Sequence, residues 1–274
     1  MIDRDLVTKA LAEDLQGGSD ITSLATISES ATSTADFVAR KPGVVAGIDM
    51  AIEVLHQVKL SEISVVAKDG DFIQAGSTLL TVSGSTRAIL QAERTALNFL
   101  GHLSGIATPA HQWVEAVAGT HCIIRDTRKT TPGYRELEKY AVRMGGATNH
   151  RMSLSDAALI KDNHIAAAGA VALAFKKVRA EFPNSKIEIE VDTLQQLHEL
   201  LPLNPDLVLL DNMSPAQCAE AVAIVGGAFE LEASGGISMS NAREYALSGV
   251  NYLAIGALTH SAPVLDIGLD MRSE

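Results

Sequence analysis

The spacing of hydrophobic and polar positions changes near residue 105. Before it, short apolar segments separated by turns that contain Gly or Pro favour strands. The predicted strands are residues 37–39, 64–66 and 78–82. A longer segment, residues 86–103, places its apolar side chains at helical spacing and predicts a helix. This half of the chain is therefore predicted to form an N-terminal α/β domain over residues 1–105.

Beyond residue 105, apolar segments alternate with helical ones. The predicted strands are residues 122–125, 158–160, 187–191, 207–210, 229–233 and 252–255, and the predicted helices are residues 133–144, 165–182, 193–200, 215–225 and 239–247. Continuous apolar strands that alternate with helices predict a parallel sheet covered by helices. Because polar residues follow most of these strands, the pattern favours a (β/α) barrel of six or seven strands over residues 106–261.

The charge distribution adds a candidate binding site to this fold. The chain has a net charge of −11, which disfavours nucleic acid and anionic membranes as partners. Residues 125–161 nevertheless contain eight Lys or Arg and only four acidic residues. A cationic island in an acidic protein favours capture of a small, multiply charged anion. A solvated face of the predicted helix 133–144 explains three of these cations. It does not explain those at predicted turns and strand ends, which are Arg128, Lys129, Arg151 and Lys161.

Other classes of protein find little support in the sequence. No segment reaches the roughly 20 consecutive apolar residues that cross a bilayer, and the charged start of the chain lacks a secretory-signal pattern. Cys122 and Cys218 are isolated, so we expect two buried thiols in a reducing cytoplasm. Neither a Walker loop nor a Rossmann glycine motif occurs, which disfavours an NTPase and a dinucleotide-binding enzyme.

Two glycine-containing turns follow the last two predicted strands. They are Ser234-Gly235-Gly236 and Gly256-Ala257. Backbone N–H groups at such turns bind phosphate, and barrels commonly place a phosphate site after their final strands. We expect Ser238 or Ser240 to cap the helix after the first turn. The alternative interpretation is an ordinary strand-to-helix turn without a ligand.

Glu190 and Asp211 end two consecutive predicted strands. In a barrel, neighbouring strand ends bring such carboxylates within several ångströms of each other. There they can hold Mg²⁺, position ribose hydroxyls or stabilise a developing cation. The alternative is that they form salt bridges with the cationic island.

Longer motifs run through nearly the whole chain in order. They are Glu93-Arg-Thr-Ala-Leu-Asn98, His102-Leu-Ser-Gly-Ile-Ala-Thr108, Thr127-Arg-Lys-Thr-Thr-Pro-Gly133, Glu138-Lys-Tyr-Ala-Val142, His150-Arg151, Lys161-Asp-Asn-His164, Glu190-Val-Asp192, Leu210-Asp-Asn212, Glu232-Ala-Ser-Gly-Gly236 and Gly256-Ala-Leu-Thr-His-Ser261. This set resembles the quinolinate phosphoribosyltransferases, which are carboxylating nicotinate-nucleotide pyrophosphorylases. The chain departs from the resemblance at Ala147, where that family usually has a third glycine.

The resemblance implies a fold and a reaction. The fold would be an N-terminal α/β domain, joined by the C-terminal segment 262–274, and an open (β/α) barrel. The reaction would transfer phosphoribose from 5-phosphoribosyl-1-pyrophosphate to quinolinate, giving nicotinate mononucleotide, CO₂ and pyrophosphate for NAD biosynthesis. Mg²⁺ and a homodimer are implied, but no organic cofactor is.

The resemblance also implies residue roles. Lys161, Glu190 and Asp211 would be catalytic, and the two carboxylates would hold Mg²⁺ together with phosphoribosyl pyrophosphate. The remaining assignments are Arg128, His150, Arg151 and Lys161 to quinolinate, Lys129 to pyrophosphate, and Ser234, Gly235, Gly236, Gly256 and Ala257 to the 5-phosphate. Arg94, which borders the apolar stripe of the predicted helix 86–103, would enter the neighbouring subunit's active site. Most arginines at such a border only extend along the surface.

Three other functions fit part of the pattern. Molybdenum-transport-associated homologues share the fold, but we expect them to lack the motif Lys161-Asp-Asn-His164. A Schiff-base barrel lyase, such as an aldolase, could use Lys161 at its strand end. A protein that only binds anions could use the cationic island, but it would not need Glu190 and Asp211 to face it.

Overall fold

The computed structural model describes residues 2–272, which fall into two compact units. Unit 1 contains the described parts of residues 1–111, 137–146 and 262–274. Unit 2 contains residues 112–136 and 147–261. The predicted domain boundary at residue 105 lies inside helix α4, which continues to Ala116.

Unit 1 is an α/β unit built on an antiparallel sheet. Its elements are α1 (Arg4–Leu15), α2 (Ile21–Thr26), β1 (Thr32–Ala39), β2 (Gly43–Val44), α3 (Ile48–Gln57), β3 (Glu62–Val65), β4 (Phe72–Ile73), β5 (Thr78–Ser85), most of α4 (Thr86–Ala116), most of α5 (Arg135–Met144) and β12 (Ile267–Met271). The four-stranded sheet has the order β12-β1-β5-β3, and β2 pairs separately with β4. The final strand therefore joins the C-terminal segment to the first strand of the chain.

Helix α4 is longer than the predicted helix 86–103. Gly101, Gly105 and Pro109 suggest an early helix end, yet all three lie within α4. Gly105 is required by packing, because a Cβ there would collide with the backbone of Pro263. The glycines thus serve a close approach by the C-terminal segment and do not end the helix.

Unit 2 alternates strands and helices. Its elements are β6 (Ile123–Arg125), β7 (Ala158–Ile160), α6 (Asp162–Ala168), α7 (Val171–Glu181), β8 (Ile187–Val191), α8 (Leu194–Leu200), β9 (Leu207–Asp211), α9 (Pro215–Val225), β10 (Glu230–Ser234), α10 (Ala242–Leu247), β11 (Tyr252–Ala254) and α11 (Ala257–His260). All strand pairs of its six-stranded sheet are parallel, in the order β6-β11-β10-β9-β8-β7. The last strand of the barrel, β11, therefore pairs with its first, β6, and among residues 2–272 no strand pairing joins β6 to β7. This confirms the predicted open (β/α) barrel.

The predicted helices 165–182 and 133–144 also differ from the structure. The segment 165–182 forms two helices, because Gly169 ends α6 in a left-handed conformation with φ 96°. Helix α5 begins at Arg135, two residues later than predicted. Pro132 and Gly133 instead form a turn, closed by a 3.0 Å hydrogen bond from the Tyr134 N–H to the Thr131 carbonyl.

Two composition-based expectations can be compared with the structure. Cys122 and Cys218 are both buried free thiols, as predicted. Burial raises the pKa of Cys122 to about 12 and that of Cys218 to about 11. None of the helices in residues 2–272 is long and apolar enough to cross a membrane.

Candidate active site

A cavity of about 260 Å³ opens at the carboxyl ends of the barrel strands in unit 2. Most of the predicted ligands lie there. Its lining includes Arg128, Lys129, His150, Arg151, Lys161, Glu190, Asp211 and Ser234. These cationic and acidic side chains, from five chain segments, thus share one small space with Ser234, as expected for the active face of a barrel.

The loop after β6 presents the first two cations. The Thr127 hydroxyl accepts a 3.1 Å hydrogen bond from the Lys129 N–H. The Thr259 hydroxyl donates to the Lys129 carbonyl at 2.9 Å, which ties this loop to α11. The main chain that carries Arg128 and Lys129 is therefore fixed at both its start and its end.

His150 and Arg151 are held from beneath by buried Asp126. One Asp126 carboxylate oxygen accepts the His150 N–H at 2.8 Å, and the other accepts the Asn149 amide at 2.6 Å. The Arg151 guanidinium donates to the Ala157 carbonyl at 2.8 Å. Burial lowers the pKa of Arg151, and the nearby positive charge of Arg128 lowers it further. Two guanidinium groups this close together favour a bound dianion.

The carboxylates at the ends of β8 and β9 form the opposite wall. Lys161 Nζ lies 3.2 Å from Glu190 Oε2. Burial raises the pKa of Asp211, and the negative charge of Asp192 raises it further. The predicted salt-bridge role of Glu190 is therefore present, while Lys161 and Lys129 lower the pKa of Asp211 by less than burial and Asp192 raise it.

The first glycine turn adopts conformations that favour glycine, whereas Gly256 in the second has a φ of −65°. Gly235 and Gly236 have φ values of 86° and 66°. A Cβ at Gly235 would collide with the Asn212 side chain, and one at Gly256 would come within 3.2 Å of Lys129 Cδ. Gly256 therefore lies beside a predicted pyrophosphate ligand.

The predicted serine cap of α10 is wrong. The helix begins at Ala242 after Asn241, whose side chain accepts the Ser238 N–H at 2.7 Å. The segment 238–241 is a turn in front of the helix, so neither Ser238 nor Ser240 occupies its N-cap.

Arg94 is separate from this group, since it lies on α4 in unit 1. Its side chain is exposed, and it has no hydrogen bond or ion pair with any residue in the described range 2–272. The alternative of an arginine that only extends along the surface is therefore compatible with this chain taken alone.

Two buried acids that were not predicted as site residues lie in the barrel, Glu232 in the lining of the cavity and Glu188 outside that lining. His150 Nε2 lies 2.7 Å from Glu188 Oε2, and Arg125 Nη1 lies 2.9 Å from Glu232 Oε2. Burial, followed by the charge of Glu188, raises the pKa of Glu232 to about 7. Side chains of a strand alternate between its two faces. Glu188 therefore lies on the same face as Glu190, and Glu232 on the same face as Ser234, which the sequence could have indicated.

Comparison with known proteins identifies the family. Residues 20–104 match the family "Quinolinate phosphoribosyl transferase, N-terminal domain", and residues 106–270 match "Quinolinate phosphoribosyl transferase, C-terminal domain". The chain belongs to the quinolinate phosphoribosyltransferase family. The family resemblance found in its motifs is therefore confirmed.

Relatives of this phosphoribosyltransferase match over nearly their whole length. The nicotinate-nucleotide pyrophosphorylase [carboxylating] of Mycobacterium leprae is 50% identical, over 98% of this chain and 96% of that protein. The crystal structure of nicotinate-nucleotide pyrophosphorylase from Ehrlichia chaffeensis has a TM-score of 0.94 at 41% identity, covering 98% of each chain. That from Francisella tularensis has a TM-score of 0.94 at 37% identity, covering 99% of this chain and 98% of the other.

Proposed function

We propose that this chain is a quinolinate phosphoribosyltransferase of NAD biosynthesis. It transfers phosphoribose from 5-phosphoribosyl-1-pyrophosphate to quinolinate and releases pyrophosphate and CO₂. Family membership supports the proposal, and the observation that carries it is the single cavity in which Arg128 and Arg151 face Glu190 and Asp211. We propose a cytoplasmic enzyme, which two buried free thiols support.

Quinolinate carries two adjacent carboxylates, and the arginine pair suits them. A planar guanidinium binds a carboxylate through two parallel hydrogen bonds, which a lysine cannot do. Arg128 and Arg151 bind the dianion, while Lys161, which pairs with Glu190, contributes a third positive charge to the same cavity. This arrangement orients the pyridine nitrogen for attack on the ribose.

The ribose phosphates lie on the side of the glycine turns. The backbone at Gly235, Gly236 and Gly256 holds the 5-phosphate, together with Ser234 and Ala257. Lys129 contacts the pyrophosphate, which its place in the same cavity, near enough to Asp211 to lower the pKa of that carboxyl, supports. Charge on the departing pyrophosphate is thereby neutralised as it develops.

The two carboxylates face the reacting carbon of the ribose and would hold Mg²⁺. Carboxylate oxygens are ligands that this ion prefers, and both carboxylates line the same cavity. When bound, Mg²⁺ neutralises pyrophosphate charge. Glu190 and Asp211 stabilise the positive charge that develops on the ribose as its bond to pyrophosphate breaks.

Decarboxylation follows from attack by the pyridine nitrogen. The nitrogen forms the new bond to ribose and becomes positively charged. The adjacent carboxylate leaves as CO₂, the electron pair of the broken bond stays on the ring carbon beside that charge, and a proton then replaces the lost group. The ring itself stabilises these electrons, so we propose that no organic cofactor takes part.

We propose a homodimer in which Arg94 of one subunit completes the active site of the other. Its exposed position on α4, without a partner among residues 2–272, supports this assignment. The shared site is tested by the subunit-mixing experiment given in the Discussion.

The decisive assay follows quinolinate by its ultraviolet absorbance, with formation of nicotinate mononucleotide measured in parallel. We expect both to depend on phosphoribosyl pyrophosphate and on Mg²⁺. If the quinolinate absorbance did not fall and no nicotinate mononucleotide formed, the proposal would be refuted. Borohydride trapping of a carbonyl substrate on Lys161 would favour the lyase instead.

A further inference from the structure

Charged residues fill the inside of the barrel beneath the cavity. Arg125 on β6, Glu188 on β8 and Glu232 on β10 meet His150 there, and both glutamates are buried. Barrel interiors are usually packed with branched apolar side chains. Burying charges is unfavourable unless they are paired, so this layer has a cost that a purely structural core would avoid.

Both ring nitrogens of His150 are engaged within the protein. Nε2 lies 2.7 Å from Glu188 Oε2, and Nδ1 accepts the Arg151 backbone N–H at 2.7 Å. Because Nδ1 accepts a hydrogen bond, the proton of the neutral ring lies on Nε2 and is donated to Glu188. The imidazole therefore connects a buried carboxylate to the backbone of a proposed quinolinate ligand.

The same geometry argues against a metal ion at this cluster. His150, Glu188 and Glu232 place potential ligand atoms within 4.8 Å of one another. A metal would need the lone pair of Nε2, yet that atom carries the proton as long as Nδ1 accepts the Arg151 N–H. The Arg125 guanidinium, 2.9 Å from Glu232, already supplies a positive charge to this group.

We propose that Glu188 is a positioning residue for the quinolinate site, acting through the His150 ring on the Arg151 main chain. This inference rests on the proposed function and changes one role within it. His150 supports Arg151 from behind and is not itself a quinolinate ligand. Asp126 holds the same segment through the His150 N–H at 2.8 Å, so two buried acids fix the backbone of one guanidinium.

The electrostatics of the layer limit this arrangement to the neutral ring, because an imidazolium carries a proton on Nδ1 and cannot accept the Arg151 N–H. Burial lowers the pKa of His150, but the hydrogen bond to Glu188 and the charges of Glu188 and Glu232 outweigh it and raise the pKa overall. The charge of Glu188 also raises the pKa of Arg151, against burial and Arg128. Glu188 thus favours the charged form of the guanidinium that would bind quinolinate.

The test compares Glu188→Ala, which removes the acceptor, with Glu188→Gln, which keeps an oxygen acceptor without the charge. For Glu188→Ala we expect the KM for quinolinate to rise about ten- to a hundredfold, as for loss of a buried hydrogen-bond partner. The KM for phosphoribosyl pyrophosphate should stay within about twofold. Glu188→Gln should recover most of the loss, because its oxygen can accept the His150 Nε2–H.

Glu230→Ala is the matched control. It removes a carboxylate from a barrel strand at the opposite end, where both carboxylate oxygens accept the Tyr252 hydroxyl at 3.1 Å. We expect it to leave both KM values unchanged. Equal increases in both KM values for Glu188→Ala, or no increase in a folded variant, would overturn the proposal.

A direct measurement on the wild type does not depend on activity. Nitrogen NMR of ¹⁵N-histidine-labelled protein, with His150 assigned from His150→Gln, reports which ring nitrogen carries the proton. On the alkaline side of its titration we expect a proton on Nε2 and none on Nδ1. The opposite tautomer would overturn the proposal even if Glu188→Ala did not fold. If the wild type showed the expected tautomer but neither bound nor converted quinolinate, the proposed function would be refuted instead.

Discussion

Removing one carboxylate from the substrate tests the arginine pair most directly. Arg128 and Arg151 share a cavity of about 260 Å³, and burial together with their mutual repulsion lowers the pKa of Arg151. Nicotinate lacks the carboxylate beside the ring nitrogen, so it would leave one of these cations unpaired. Leaving a partly buried charge without its partner costs about 2–5 kcal/mol. We therefore expect kcat/KM for nicotinate to be about 30-fold to several thousandfold lower than for quinolinate.

The assay measures kcat/KM for both acids at the same phosphoribosyl pyrophosphate and Mg²⁺ concentrations. Arg151→Lys keeps a positive charge but loses the planar pair of donors, so it should lower kcat/KM for quinolinate much more than for nicotinate. Arg243→Lys is the matched control, since Arg243 is exposed and its guanidinium donates to the Ala118 carbonyl. Comparable kcat/KM values for the two acids, or equal losses for both in Arg151→Lys, would refute the reasoning.

Three further predictions concern other parts of the structure. Asp211→Asn and Glu190→Gln should each lower kcat about 100-fold or more and leave the affinity for quinolinate largely unchanged. If a variant instead lost its affinity for quinolinate but kept its kcat at saturating substrate, these carboxylates would have another role. The variants Arg94→Ala and Lys161→Ala should each be nearly inactive. When they are mixed and exchange subunits equally, activity should return to about a quarter of the wild-type value, because half the dimers are mixed and each mixed dimer has one intact site of two. No recovery despite demonstrated exchange would contradict the shared site. Burial raises the pKa of Glu232 from 4.5 to about 7, so the folded state favours its protonated form. The wild type should therefore lose stability relative to Glu232→Gln as the pH rises from about 4.5 to 7, and parallel thermal midpoints over this range would contradict this expectation.

The strands of the barrel could be predicted because their apolar segments are continuous and bounded by polar residues. The segments 158–160 and 187–191 coincide with β7 and β8. Helix boundaries were harder to predict at glycines, because a glycine can either end a helix or lie inside one where another segment packs closely. Gly169 ends a helix in a left-handed conformation, while Gly105 stays within α4 because another segment packs against it. Only the tertiary contact distinguishes these two cases.

The site was predictable where chemistry follows a strand end, as at Lys161, Glu190 and Asp211. Inside the barrel, the sequence indicates which strand face carries Glu188 and Glu232, but not that they are buried or what pairs with them. The sequence of β8 alternates apolar residues with Glu188 and Glu190, which is typical of a half-exposed strand, yet all five of its residues are buried. The cations that pair with Glu188 and Glu232 come from distant parts of the chain, so no local sequence pattern predicts this pairing.

The pairing of β12 with β1 also bears on the order in which the chain is synthesised on the ribosome. Ala35 lies opposite Met271, so the outer neighbour of the first strand is synthesised long after that strand. The barrel segments of unit 2 all precede residue 262 and can emerge earlier. Until β12 emerges, β1 has an edge of unpaired backbone groups, which is the kind of edge that promotes association between chains. Termination before β12 would thus damage the N-terminal sheet, and the ion pairs of Arg272 with Asp36 and of Asp270 with Arg40 stabilise that sheet only after β12 has been synthesised.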